Sequence, residues 1–134
     1  MIGFWQNPAH FKGLAKLLLL QLEIASTRTV ESVIIPAIVS FAAAASSESH
    51  HKEINSDLLR LMRSEASKDK LAAIKCEQSL TTKLGEEWLS LLPEMLPLIS
   101  EMQEDDDEAV ERETQRWIRQ IEETLGEKLD SMLQ

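Results

Sequence analysis

Apolar residues recur along this chain at three- and four-residue spacings, which marks amphipathic helices. Alternation of single apolar and polar residues is nowhere sustained, so no strand is predicted. After Gly85, the residues Trp88, Leu92, Met95, Ile99 and Met102 share one stripe, widened by Leu89, Leu91, Leu96 and Leu98. Val110, Thr114, Trp117, Ile121 and Leu125 make a matching stripe further on, with Ile118 beside it. A constant shift of 41 residues then lays apolar positions on apolar positions. Leu17, Leu58 and Ile99 coincide, as do Leu20, Leu61 and Met102. So do Ile35, Cys76 and Trp117, then Val39, Leu80 and Ile121, then Ala43, Leu84 and Leu125.

Each copy reads as two helices. The predicted units cover about 11–45, 53–84 and 86–125, with a short C-terminal tail. Their helices fall at about 11–25 and 27–45, 53–64 and 67–84, and 86–103 and 106–125. Local chemistry supports the joints. Ser67 is placed as an N-cap with Asp69 in the first turn. Asp105, Asp106, Asp107 and Glu108 put four carboxylates where a helix dipole favours them. Gly85 and Gly126 each follow a leucine at a helix end, where glycine can take positive φ. The stretch 44–52 (AASSESHHK) is the most loop-like. Pro93 and Pro97 should kink the first helix of the third unit. One helix pair cannot bury two broad apolar faces by itself, whereas neighbours stacked along an axis can. The expected fold is therefore all-α, a HEAT-like α-solenoid fragment of about three helix pairs forming one domain over 1–134.

Composition narrows the function. At 134 residues, 43% apolar and 28% charged, the chain is an ordinary globular domain, and four Gly with four Pro exclude a collagenous or low-complexity chain. Three Trp, three Phe and no Tyr leave the core to aliphatic side chains. The net charge of −9 repels phosphate backbones and argues against direct nucleic-acid binding. A single cysteine, Cys76, excludes an intrachain disulfide and fits a reducing cytosolic or nuclear setting. The apolar runs 14–20 and 33–45 are shorter than the ~20 residues of a membrane span, and no signal-peptide pattern opens the chain. Met1, Ile2 and Gly3 fit a native start or appended residues equally.

No catalytic, cofactor or metal residues are predicted. The acidic run 104–108 lacks the glycine and spaced acids of an EF-hand and reads as a solvated helix start. His10, His50, His51 and Cys76 have no metal-ligand spacing. Ser67 to Lys70 matches Ser-x-x-Lys, but the companion Ser-Asp-Asn and Lys-Thr-Gly elements are missing, so it reads as a capped turn. Cys76 shares its repeat position with Ile35 and Trp117, hence a core place. Trp88 and Trp117 are read as core; Trp5 is a candidate interface anchor. Arg60, Arg63, Lys68, Lys70 and Lys75 form one basic stretch, and Arg112, Arg116 and Arg119 another. Glu111, Glu113, Glu122 and Glu123 dilute the second, so these are solvated, ion-paired faces or an RNA or partner surface.

The stretch LLPEMLPLISEMQEDDDEAVE at 91–111, followed by LGEKLDSML at 125–133, resembles the extreme C-terminus of a family of large HEAT-repeat proteins of ribosome assembly. This is the U3 small nucleolar RNA-associated protein ten, or HEAT repeat-containing protein one, family. LLRLMRSEASKDKLAAIKC at 58–76 fits the preceding repeat. The resemblance implies a non-catalytic scaffold of the small-subunit processome in the nucleolus, supporting 18S pre-rRNA processing by protein–protein docking. It implies UtpA (t-UTP) subunits as partners, pre-rRNA contacted indirectly, no membrane and no cofactor. It also implies a link to ribosomal DNA transcription. An RNA-contacting HEAT module and an unrelated helical adaptor are the alternatives. HEAT units usually carry Asp in the inter-helix turn and Arg early in the second helix. Here Lys70 fills the basic slot of the second unit and Glu111 that of the third, leaving the ladder incomplete. The face of Phe11, Leu14, Leu17 and Leu18 should pack on a preceding repeat and drive self-association of the isolated fragment.

Overall fold

The computed structural model describes residues 8–45 and 47–133, with side chains described from Gly13 onward. Trp5 and the side chains of His10 and Phe11 lie outside the described residues. Among the described residues all regular structure is helical, without strands. We label the helices α1 (Pro8–Ile24), α2 (Thr27–Ala44), α3 (Glu48–Leu61), α4 (Ser67–Leu84), α5 (Glu86–Leu89), α6 (Leu92–Gln103) and α7 (Glu108–Leu125).

Their ends follow from the backbone groups that each must satisfy. The Ser26 hydroxyl accepts from the Thr29 N–H at 3.2 Å and opens α2. The Asp107 carboxylate accepts from the Ala109 N–H at 2.8 Å and opens α7. Gly85 (φ 60°) closes α4 and Gly126 (φ 74°) closes α7, backbone shapes costly for any residue with a Cβ. Ser67 is not a cap: Ala66 occupies that position and makes no side-chain cap bond. The Ser67 hydroxyl instead hydrogen-bonds to the carboxylate of Asp107 in the next turn.

Proline decides two local breaks. Residues 86–103 do not form one kinked helix; α5 ends at Leu89 and α6 starts at Leu92. Pro93 has no N–H for the Leu89 carbonyl and is tolerated only in the first turn, so the chain restarts there. Pro97 stays inside α6. In α2, Pro36 follows a π turn over Val30–Ile34, where the Ile35 N–H reaches back to the Val30 carbonyl. The widened turn lies over the Ser32 carbonyl that a proline ring would otherwise crowd.

The expected loop at 44–52 is shorter than predicted, because α3 begins at Glu48. His51 is not in a polar loop but buried, with Nε2 2.8 Å from the Ala42 carbonyl oxygen. That bond and the packing of α2 on α3 hold the extra turn in place.

Helices pack as pairs: α1 on α2, α3 on α4, and α6 on α7. The second helices also pack in succession, α2 on α4 and α4 on α7. Central α4 further touches α1, α3 and α5, so its sides are the most completely covered. Ile35, Cys76 and Trp117 are all buried, as are Leu80 and Ile121, with Val39 half-buried. By length and composition α2 could cross a membrane; here its Val30, Ile34, Ile38 and Phe41 form part of the core.

Candidate interaction surfaces

Two seams join the second and third helix pairs. The outer seam is polar. Lys70 on α4 donates to Asp105 at 2.6 Å, in the turn before α7. The Lys70 ammonium, then the Asp107 N–H, hold the Asp105 carboxyl below its ordinary range. Ser67, then the Ala109 N–H, do the same for Asp107. Lys70 thus makes a rung across the turn although no arginine stands there. Lys70→Ala is expected to destabilise the chain by about 1 kcal/mol, with less effect in high salt, as read by urea denaturation. The first and second pairs are tied similarly. Lys75 pairs with Glu31, and the Lys68 ammonium donates to the Glu23 carbonyl at 3.1 Å.

The inner seam is buried. Glu77 of α4 is fully buried, and its Oε1 accepts from Trp88 Nε1 at 2.9 Å. The ring of Trp88 stands edge-on to His51, centroids 5.6 Å apart. One tryptophan on the short α5 therefore touches polar groups from both α3 and α4. Burial pushes the Glu77 carboxyl up to about 8, against the lowering effect of the Trp88 bond. Burial, then the neighbouring Glu77, raises the Cys76 thiol, so it is inert at neutral pH. Cys76, Trp88 and Trp117 all belong to the core. Sequence reasoning overlooked Glu77. The available signal was its place, four residues after Ala73 and three before Leu80, inside the apolar stripe. Its counterparts at the 41-residue shift are Pro36 and Ile118.

The basic residues do not converge on one site. Arg60 pairs with Asp57 on α3, and Arg63 lies exposed in the turn after it. Lys70 is committed to its rung. Arg112, Arg116 and Arg119 share an exposed stripe of α7, Arg116 lying 3.5 Å from Glu113. The structure does bring Lys75 and Arg116 together, since both line one groove.

The two ends of the stack differ. At the α1 end, Leu17 is 60% exposed, Leu20 47% and Ile24 62%, at helical spacing, and Val33 of α2 is also exposed. The 41-residue counterparts of Leu17 and Leu20, which are Leu58, Leu61, Ile99 and Met102, are buried because a helix pair precedes each. Of the expected face, Leu17 is exposed, while Leu14 and Leu18 are half-buried and pack on the core. At the α7 end the outward side chains are Glu111, Arg112, Gln115, Arg116 and Arg119. The tail folds back there. Leu129 is buried, and its N–H donates to Glu122 Oε2 at 2.8 Å.

One apolar end, one polar end and a core of paired helices define the chain as an all-α helical-repeat module. Over 98% of its length it is 59% identical to the U3 small nucleolar RNA-associated protein 10 of Phaeosphaeria nodorum, across 133 residues. The same figures hold for the protein of that name in Neurospora crassa. Identity is 53% over 135 residues with the one in Pyricularia oryzae. The chain belongs to the U3 small nucleolar RNA-associated protein 10 family and spans only 7–8% of the length of these curated relatives. No protein-family profile matches it.

Proposed function

We propose that this chain is a non-catalytic, HEAT-like scaffold segment of the small-subunit processome, acting in the nucleolus. Its work is protein–protein docking that supports 18S pre-rRNA processing, with UtpA subunits as neighbours and pre-rRNA contacted indirectly. The identity with relatives named for U3 small nucleolar RNA supports the assembly. The observation that carries the scaffold-segment reading is the open face of Leu17, Leu20 and Ile24, an end of a helix stack that calls for a neighbouring helix pair. A helix pair earlier in the longer polypeptide is its proposed cover. Nothing in this reading calls for a reacting group.

Tagged chain incubated in nucleolar extract should retain early processome subunits, identified by mass spectrometry. Their absence, with only unrelated transport or trafficking proteins retained, would favour the helical adaptor. The bare chain should self-associate, because an exposed apolar stripe lowers its free energy on pairing. Light scattering should show mass rising with concentration, and Leu17→Ser with Ile24→Ser should restore the monomer. A clean wild-type monomer at high concentration contradicts this. The exposed arginine stripe of α7 favours a second reading, direct RNA contact. It requires retardation of pre-rRNA fragments that falls steeply with salt.

A further inference from the structure

We propose that the trough running over α2, α4 and α7 docks an acidic, leucine-bearing segment of a protein partner. The trough starts as a cavity of about 270 Å³ between the early turns of α2 and α4. Val30, Leu71 and Ala72 give it an apolar floor, and Lys68 and Lys75 stand at its edges. It continues into a depression of about 280 Å³ that reaches Glu113 and Arg116 on α7. Glu31 and Lys75 line both parts, and their ion pair forms the sill between the two. The π turn over Val30–Ile34 starts at this floor, and such turns gather at functional positions.

Size and charge select the occupant. Small-molecule sites start at roughly 300 Å³ and hold most of their ligand enclosed. This cavity is smaller and opens along a groove, which suits one apolar side chain of an extended or helical segment. Along the trough Lys68, Lys75 and Arg116 outnumber the carboxylates Glu31 and Glu113, within a chain of net charge −9. Arg112 and Arg119 flank Arg116 on the same exposed stripe. The Lys75–Glu31 pair is partly exposed, so an incoming carboxylate replaces Glu31 at little cost. Arg116 is itself exposed, while Glu113 is buried and accepts from Gln78, so an incoming carboxylate adds to that pair from the solvent side. RNA fits less well. Trp88 and Trp117 are buried, so neither can stack a base here.

This inference deepens the docking reading and rests on it for protein rather than RNA. The test uses a fluorescent synthetic peptide of glutamates with two leucines one helical turn apart, titrated into the chain and followed by anisotropy. Binding should saturate, weaken with salt, and vanish when serines replace the leucines. Lys68→Glu and Arg116→Glu, both at exposed positions, should each weaken it about tenfold while circular dichroism stays unchanged. Hydrogen exchange on the unaltered chain should show peptide-dependent protection at 27–31 and 68–75. Equal binding by the lysine version of the peptide, or protection elsewhere, overturns the proposal. So does tighter binding of single-stranded oligouridylate that is lost in the same two variants. If the peptide fails while processome subunits are still retained, the trough assignment alone falls. If the peptide binds and those subunits are absent, the processome assignment falls instead.

Discussion

Trp88→Ala is expected to remove about 3–5 kcal/mol of stability, the usual cost of emptying a buried tryptophan site. Domains of this size hold only about 5–15 kcal/mol in total, so the loss is a large share. The side chain is fully buried and does two jobs at once. Its Nε1–H is the bond to Glu77, and its ring edge meets His51. Alanine leaves a cavity and takes from the Glu77 carboxyl the donor that Trp88 supplies. Because Trp88 is on α5, the third helix pair should loosen first. Hydrogen exchange should therefore rise in α6 and α7 before α1 and α2. Trp88→Phe separates the two jobs: it keeps a ring against His51 and loses the donor, at a cost of about 1–3 kcal/mol. A loss below about 1 kcal/mol for the alanine variant would show that this seam does not hold the third pair.

Glu77→Gln should stabilise the chain at alkaline pH and flatten its pH dependence. The ordinary carboxyl titrates at 4.5, and burial lifts the folded value to about 8. Between those values the folded state holds a proton that the unfolded state has released. Stability therefore falls as pH rises from 4.5 through about 8, where the full cost of a buried carboxylate is reached. Below 4.5 both states are protonated and the group adds no slope. Glutamine presents an acceptor to Trp88 Nε1 without ever ionising. Urea denaturation across this range should show wild type losing a few kcal/mol that the variant keeps. Parallel curves for the two proteins would mean that Glu77 titrates as if it were in water.

How far the chain can be read without coordinates depends on how local the relevant physics is. The helix at 67–84 and the one expected at 106–125 were legible because their stripes, an acidic helix start and two closing glycines lie within a few turns of one another, although the second begins only at Glu108, where Asp107 caps it. The first turns of α3 were not. A run of Ser, Glu and His has no helical stripe, and His51 acquires its place only from the Ala42 carbonyl and the ring of Trp88. Pro36 was visible as a residue, but the π turn that accommodates it was not. The candidate surfaces divide in the same way. Leu17 was found because it falls on the shared register, whereas Ile24 and Val33 emerge as exposed only once the neighbouring helices are placed.

By itself the amino-acid order determined an all-α chain of amphipathic helix pairs, the glycine-closed ends of α4 and α7, and membership of its family. Each of those rests on contacts or caps a few residues apart, or on matched residues in relatives. Only the tertiary structure decided that Lys70 meets Asp105, that Glu77 is sealed beneath Trp88, and that Lys75 and Arg116 share a trough. Those partners are distant along the chain, and no spacing rule reports which helix faces which. The burial of one side chain is set by whatever happens to pack above it.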